Sequence, residues 1–204
     1  MEKGLRFYET INKHIGDYKK YKWFFTSSGK LVVGGKSSEQ NDELLKRLKR
    51  SGRDFIVMHT SSPGSPFCII LDEIDKTNDK DIDETAVFTG CFSRAWKLMK
   101  KKARIDIFHL SQLYKTKEMK IGTWGIKGDI KRKEVYLELV LIKQEGKLRA
   151  VPELTTRKYL LKVKPGKLDK KNMLLKLQIE MHDHYGPEEI LSALPAGGIA
   201  ISRD

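Results

Sequence analysis

The sequence predicts an α+β fold: an antiparallel or mixed sheet built from hairpins, with interspersed helices, in a single main domain. Short apolar runs come in pairs around turn residues, as in 22–27 and 30–35 on either side of Ser28-Gly29. Between these pairs lie segments whose apolar residues recur at helical spacing. The chain has 204 residues and is 39% hydrophobic, which suffices for one domain with a buried core.

The N-terminal half is predicted to alternate strands and helices. Its predicted elements are strands over 22–27 and 30–35, a helix over 38–50, strands over 54–59 and 66–71, a helix over about 83–102 and a strand over 105–110. Ser37 and Gln40 fit a capping box, in which the hydroxyl and the amide satisfy backbone donors at the start of the first helix. The segment 72–84 is rich in acids, and we expect it to be a solvated loop.

The C-terminal half begins with an irregular basic connection over 111–120. The predicted elements after it are a hairpin of 121–127 with 134–142, strands near 148–151 and 157–163, helices over 168–183 and 187–193, and a strand over 199–202. Accordingly, we expect residues 1–150 to form the main domain. Residues 151–204 are expected to form a C-terminal extension packed on the same domain.

Charge narrows the classes of partner. The formal net charge is +13, which favours attraction to polyanions such as nucleic acid or an anionic membrane surface. No apolar run reaches the length of a membrane span and the first residues do not resemble a signal peptide, so we expect a cytoplasmic protein without membrane insertion. Cys68 and Cys91 stand alone among apolar residues, which predicts buried free thiols.

The glycine-rich turn after the second strand, "LVVGGKSSEQND", lies where many proteins hold a phosphate. It lacks the further glycines that nucleotide-binding loops require, so it leaves two interpretations. It is either a tight strand-to-helix corner, or an anion pocket formed by Lys36 beside the amides of the helix N-terminus. The carboxylates of Glu39, Asp42 and Glu43 compete for the same helix dipole.

The spacing of residues in the sequence gives little support for an enzymatic site or a metal site. His59 ends a predicted strand, but no spacing pairs it with a nucleophile. His182 and His184 flank Asp183, yet residues two apart on a helix point to different faces. We therefore predict no catalytic residue, no metal and no cofactor.

Basic residues cluster at the ends of predicted elements, with aromatic residues among them. The clusters occupy 46–53, 97–104, 115–120, 127–133 and 157–171. This pattern favours contact with a phosphate backbone. Phe92 and Trp96 share an apolar stripe and are expected in the core, whereas Trp124, close to two glycines, is a candidate for exposure and base stacking.

Four blocks of the chain form a recognisable pattern together: "WFFTSSGKLVVGGKSSEQND" (23–42), "GRDFIVMHTSSPGSPFCIIL" (52–71), "ETAVFTGCFSRAWK" (84–97) and "SQLYKTKEMKIGTWGIKG" (111–128). In their order and spacing they resemble a known family, the NFACT-R domain, which is the RNA-binding portion of the NFACT proteins. Residues that match the family pattern are Gly34, Gly35, Lys36, Gln40, Asn41, Asp54, His59, Gly64, Ser93, Arg94, Trp96 and Lys115, with Asp42 or Glu43 standing for its acid. Ser37 and Ser38 depart from the family's usual Asp or Asn followed by Ala.

The resemblance implies binding of structured RNA, tRNA in particular, in ribosome-associated quality control. The chain leaves no room for the other lobes and the coiled coil of full-length members, so it resembles a stand-alone form, and template-free tailing is not carried over. Stand-alone members have also been linked to tRNA modification as substrate-binding partners.

The leading hypothesis is a non-catalytic RNA-binding module for tRNA or rRNA, with the large ribosomal subunit as a further candidate partner. Its expected phosphate ligands are Lys36, Arg94, Lys97, Lys100, Lys101 and Lys115. The alternatives are an RNA-modifying enzyme that uses His59 and Asp54, and a protein drawn to DNA or a membrane surface by charge alone.

Overall fold

The computed structural model describes residues 12–182 and 184–202. In chain order the first elements are β1 (Lys22–Phe25), β2 (Leu31–Gly34), α1 (Ser38–Arg50), β3 (Ile56–Thr60), β4 (Cys68–Ile70), α2 (Asp79–Cys91), α3 (Arg94–Lys97), β5 (Lys102–His109), β6 (Leu113–Tyr114) and β7 (Gly125–Ile126). They are followed by β8 (Lys131–Tyr136), β9 (Leu139–Gln144), β10 (Lys147–Val151), β11 (Leu161–Leu168), α4 (Lys170–Glu180), α5 (Pro187–Ala193) and β12 (Ile199–Ser202).

The described strands form three antiparallel sheets. The main sheet has the order β1-β2-β4-β3-β5-β8, the second sheet the order β10-β9-β11-β12, and β6 pairs with β7 alone. The predicted hairpin of β1 and β2 is present and pairs Trp23 with Val33, and β3 pairs with β4. The predicted α+β fold of hairpins and interspersed helices is thereby confirmed.

Both faces of the main sheet are covered by apolar clusters. Successive residues of a strand point to opposite sides of the sheet, so chain neighbours belong to different clusters. Trp23, Val33 and Val57 lie in one apolar cluster, where the leucines of α1 pack. Phe24 and Met58, their chain neighbours, lie in the other cluster, together with α2 and the second sheet. Cys68 and Cys91 are free and buried, as predicted, and burial raises the pKa of Cys68 to about 12.

The helix predicted over about 83–102 is wrong in its extent. Helix α2 begins earlier, at Asp79, and ends at Cys91. The chain breaks at Ser93, whose hydroxyl accepts a hydrogen bond from the Ala95 backbone N–H at 3.1 Å and so caps the separate helix α3. Helical spacing continued across the break because both helices fill the same core.

The hairpin predicted from 121–127 and 134–142 is also wrong. Strand β7 pairs with β6. The apolar run over 134–142 divides between β8, which pairs with β5, and β9, which belongs to the second sheet. Apolar spacing indicated strands here but carried no information about which strand is the partner.

The acid-rich segment 72–84 is not wholly solvated as expected. Asp81 and Glu84 are fully buried in α2. Asp81 accepts hydrogen bonds from the hydroxyls of Thr26 at 2.6 Å and Ser28 at 2.5 Å, and Glu84 accepts one from the Ser27 backbone N–H at 2.8 Å. These two carboxylates therefore fasten α2 to the turn between β1 and β2.

Candidate nucleic-acid interface

An open groove with a volume of about 580 Å³ lies where the corner between β2 and α1 meets the loops that follow β3 and precede β7. Lys36, His59 and Trp124 are among the residues that line it. The glycine-rich turn of the sequence thus forms one wall of a surface groove.

The corner itself is fixed by Asn41. Its side-chain Oδ1 accepts hydrogen bonds from the backbone N–H of Gly35 and of Phe67, both at 3.1 Å. Ser37 caps α1, because its hydroxyl accepts from the Gln40 N–H at 3.2 Å. The predicted capping box is shifted by one residue: the Gln40 side-chain oxygen accepts from the Lys36 N–H at 2.8 Å rather than from Ser37.

We expect Gly35→Ala to destabilise the protein by about 1–3 kcal/mol, as overpacking of a well-packed site does. A Cβ at Gly35 would lie 2.4 Å from Asn41 Oδ1 and 2.6 Å from the Asn41 backbone nitrogen, and the latter cannot move without unwinding the first turn of α1. Urea unfolding measures the loss. Gly186→Ala is the control, since nothing lies within 4 Å of a Cβ there; an equal loss in both variants would contradict the explanation.

Of the two residues that could stand for the family's acid, Asp42 is the one that the structure buries. Its side chain is only 7% exposed, and its Oδ1 accepts hydrogen bonds from Trp124 Nε1 at 2.8 Å and from the Gly122 N–H at 3.0 Å. Burial raises the pKa of Asp42, but these bonds and the Lys115 ammonium outweigh it and hold the pKa below its usual value. Glu43 instead pairs with Arg47 at the surface.

Lys115 was predicted to contact phosphate, and in the structure its ammonium group contacts Asp42 and two backbone carbonyl groups. Its Nζ lies 2.7 Å from Asp42 Oδ2 and donates to the carbonyl oxygens of Lys120 and Thr123 at 3.0 and 3.1 Å. The side chain is 15% exposed. These contacts favour a structural role, in which Lys115 holds the loop before β7 against α1.

Trp124 is half-buried, which corrects the expectation of an exposed stacking platform. Its indole N–H is bound to Asp42, and the Lys115 ammonium lies 5.4 Å from its ring centroid. Trp124 is therefore part of the groove wall.

Asp54 and His59, the pair of the enzyme hypothesis, are not brought together, because Asp54 lies two residues before β3 and His59 lies near the end of that extended strand. Asp54 accepts hydrogen bonds from the backbone N–H and the hydroxyl of Ser111, both at 2.8 Å. The Nδ1 of His59 lies 2.7 Å from the Thr60 carbonyl oxygen, and its ring packs on Phe67. Burial lowers the pKa of His59.

The remaining family-motif residues build the framework around α3. Gly64 has a φ of +102°, and its carbonyl oxygen accepts from the Arg94 N–H at 2.7 Å. Ser93 caps the helix, and the fully buried Trp96 donates its indole N–H to the Gly198 carbonyl oxygen at 3.0 Å. Gly34 pairs with Cys68 across the sheet.

The other predicted phosphate ligands are exposed. Lys36 borders the groove, and Arg94 and Lys100 line a smaller one of about 390 Å³, with Lys97 and Lys101 close to them in the chain. Within residues 12–182 and 184–202, none of these five cations forms an ion pair. They are thus available to an external anion.

Two further cations near the groove were missed by the sequence reasoning. Lys22 is half-buried, with its ammonium 4.8 Å from the centroid of the Phe92 ring. Arg149 is buried, with its guanidinium 4.5 Å from the centroid of the Trp23 ring. The available signal was a charged residue inside an apolar strand, in "KWFF" and "KLRAV".

The described residues contain no group of three or more histidine, cysteine, aspartate or glutamate side chains arranged to hold a metal ion. The ring centroids of His182 and His184 are 6.4 Å apart, and Asp183 lies outside the described residues. Among the helices that the structure describes, none combines the length and the apolarity needed to cross a bilayer.

Comparison with known proteins confirms the resemblance. The family model "NFACT protein RNA binding domain" matches residues 20–128. An archaeal Rqc2 homolog, aRqcH of Methanocaldococcus jannaschii, is 30% identical over 216 residues, which cover 98% of this chain and 31% of that protein. The ribosome quality control complex subunit NEMF of Homo sapiens is 28% identical over 80 residues, which cover 39% of this chain and 7% of that protein.

A solved structure, the C-terminal part of the fibronectin/fibrinogen-binding protein from Streptococcus suis, is similar with a TM-score of 0.48 and 21% identity, over 58% of this chain and 45% of that one. The chain spans at most 31% of the length of the two relatives named above. Since the family model covers more than half of its residues, the chain belongs to the family of NFACT protein RNA binding domains.

Proposed function

We propose that this chain is a non-catalytic module that binds tRNA or rRNA through phosphate contacts. The observation that carries the proposal is the set of exposed cations on and around α3 and at Lys36, which have no carboxylate partner within the described residues, in a domain of an RNA-binding family. Lysine and arginine that contact phosphates bind without reading bases, so shape dominates recognition.

The choice of tRNA or rRNA rests on the relatives, whose names connect them with Rqc2 and with ribosome quality control. A role of this kind takes place in the cytoplasm, as the sequence predicts. The large ribosomal subunit remains a proposed partner. Because the chain covers only 31% of the archaeal relative, the proposal is restricted to RNA binding.

The binding of total tRNA and of rRNA fragments should weaken steeply as salt rises. The variant with Lys97, Lys100 and Lys101 replaced by glutamine should bind both more weakly. The slope of log K against log salt is negative, and its magnitude should be smaller by about 0.7–0.9 for each phosphate that the variant no longer neutralises. Fluorescence anisotropy over a salt series measures both quantities, with duplex DNA and anionic vesicles as competitors.

The matched control replaces Lys80, Lys143 and Lys176 by glutamine, which removes the same charge from exposed positions elsewhere. A salt-independent affinity of the wild-type protein would overturn the proposal. Equally strong competition by anionic vesicles would do the same, because it would indicate attraction by charge alone.

We also propose that residues 151–204 complete the same domain instead of acting separately. Two contacts support this proposal. The Thr155 hydroxyl donates to Glu84 Oε2 at 3.1 Å, and Trp96 donates to the Gly198 carbonyl oxygen at 3.0 Å. Strand β11 in addition pairs with β9, on the other side of residue 150.

A further inference from the structure

Three cations converge at the place where two grooves meet. The groove beside the corner of β2 and α1 is continued by a second groove of about 550 Å³, between the start of β1, the start of β10 and α5. Lys22 and Lys36 line both grooves, and Arg149 lines the second. The register explains part of this arrangement, because Lys22 lies opposite Gly34, two residues before Lys36.

The three charges repel one another. Burial, together with the charges of Lys36 and Arg149, lowers the pKa of Lys22. Burial and the charge of Arg149 lower the pKa of Lys36, and burial lowers that of Arg149 to about 10. In the described part of the chain, none of the three forms an ion pair with a carboxylate, so the folded protein tolerates an uncompensated cluster of positive charge.

The described acids in the groove walls form no ion pair with the three cations. Asp106 accepts hydrogen bonds from Ser61 and Arg132. Glu189 Oε1 accepts the Leu148 N–H at 2.9 Å, and Glu188 is exposed on α5. An external anion that reached the cluster would therefore relieve repulsion that no ion pair among the described residues relieves.

The amides of the helix N-terminus are not the ligands. Ser37 and Gln40 satisfy two of the backbone donors at the corner. The Glu39 carboxylate accepts bonds from its own backbone N–H and from Ser37, which hold its pKa below the usual value. The Glu39 carboxylate thus already interacts with the positive end of the α1 dipole. The side-chain cations, and not the backbone amides, are therefore the groups that would bind an external anion.

Arg149 is held in a fixed orientation. Its Nε and one Nη donate to the Trp23 carbonyl oxygen at 3.1 and 2.9 Å, and its plane lies over the Trp23 ring. A guanidinium has five N–H donors, so the other Nη group remains able to donate to an oxyanion. A rigid guanidinium beside two ammonium groups is well suited to a phosphate.

We propose that Lys22, Lys36 and Arg149 bind a phosphate group of the RNA backbone where the strand passes from the first groove into the second. This inference rests on the proposed RNA binding and makes it more specific. It adds β10 of the second sheet to the RNA interface, although that strand lies beyond the residues 20–128 that match the family model.

The test compares the double variant Lys22→Gln, Lys36→Gln with the charge-matched control Lys143→Gln, Lys176→Gln, using total tRNA and rRNA fragments over a salt series. The double variant should bind more weakly than the control. The magnitude of its slope of log K against log salt should be smaller by about 0.7–0.9 for each phosphate left without its cation. Lys36→Gln alone, at an exposed position, should reduce the slope in the same direction even if the partly buried Lys22 affects folding. Equal binding by the double variant and the control would overturn the inference.

A second measurement requires no RNA. At equal ionic strength, inorganic phosphate should raise the Tm of the wild-type protein above its value in chloride, and the double variant should lose this difference. Phosphate stabilisation that Lys22 and Lys36 control, combined with unchanged RNA binding, would overturn the inference by assigning the site to a free anion. Loss of salt-dependent RNA binding in the wild-type protein is a different result and would reject the proposed function itself.

Discussion

Replacing Asp42 by asparagine is expected to destabilise the protein by about 3–5 kcal/mol, the range found when one partner of a buried ion pair is removed. The carboxylate is 7% exposed and the Lys115 side chain 15%, with Nζ and Oδ2 2.7 Å apart. Asparagine has nearly the same shape but no charge, so it would leave the Lys115 ammonium partly buried without its counter-charge. Urea unfolding at pH 7 measures the loss.

Glu43→Gln is the matched control, because Glu43 is the next residue of the same helix and its ion pair with Arg47 is exposed at the surface. Exposed pairs contribute about 0–1 kcal/mol, so this variant should remain close to the wild-type protein. Replacing both Asp42 by asparagine and Lys115 by methionine should recover part of the loss, because the unpaired charge is removed. If Asp42→Asn cost no more than Glu43→Gln, Lys115 would not depend on this carboxylate.

Because of the same ion pair, we expect the stability of the protein to depend on pH in the acid range. The pKa of Asp42 is lower in the folded protein than its ordinary value, so its contribution to stability is present above the unfolded pKa of about 3.9. That contribution is lost as the pH falls through the lower pKa of the folded state. The difference in unfolding free energy between wild type and Asp42→Asn should therefore shrink in this acid range, whereas a constant difference would attribute the effect to packing.

Elements whose sequence signal lies within one short segment were predicted well. Helix α1 was predicted with its observed bounds because its leucine spacing and its cap lie within one short segment. The break between α2 and α3 was missed because the spacing of apolar residues reports which face is buried, and both helices face one core. The partner of β7 was missed because pairing depends on residues distant in the chain.

The candidate site shows the same limit. The match to the family identified the glycines and Asn41 of the corner from their order alone. It could not show that Lys115 meets an acid 73 residues away, because a sequence displays a charge without its partner. Lys22 and Arg149 belong to different sheets, so only the packing of these sheets brings their charges together.

Replacing Trp96 by alanine is expected to cost about 3–5 kcal/mol, as truncation of a large buried aromatic side chain does. Trp96 is fully buried in the cluster that joins α2, the main sheet and the second sheet. Leu98→Ala is the control, since that side chain is 53% exposed and lies just beyond α3. Urea unfolding should separate the two variants clearly.

Trp96→Phe distinguishes packing from hydrogen bonding. Phenylalanine retains most of the apolar surface but cannot donate to the Gly198 carbonyl oxygen, which Trp96 Nε1 reaches at 3.0 Å. If residues 151–204 complete the domain, this variant should reduce hydrogen-exchange protection in β12, which begins at Ile199, while α1 keeps its protection. Unchanged protection of β12 in both Trp96 variants would instead indicate that the C-terminal residues fold without support from α3, and the proposal of one domain would fail.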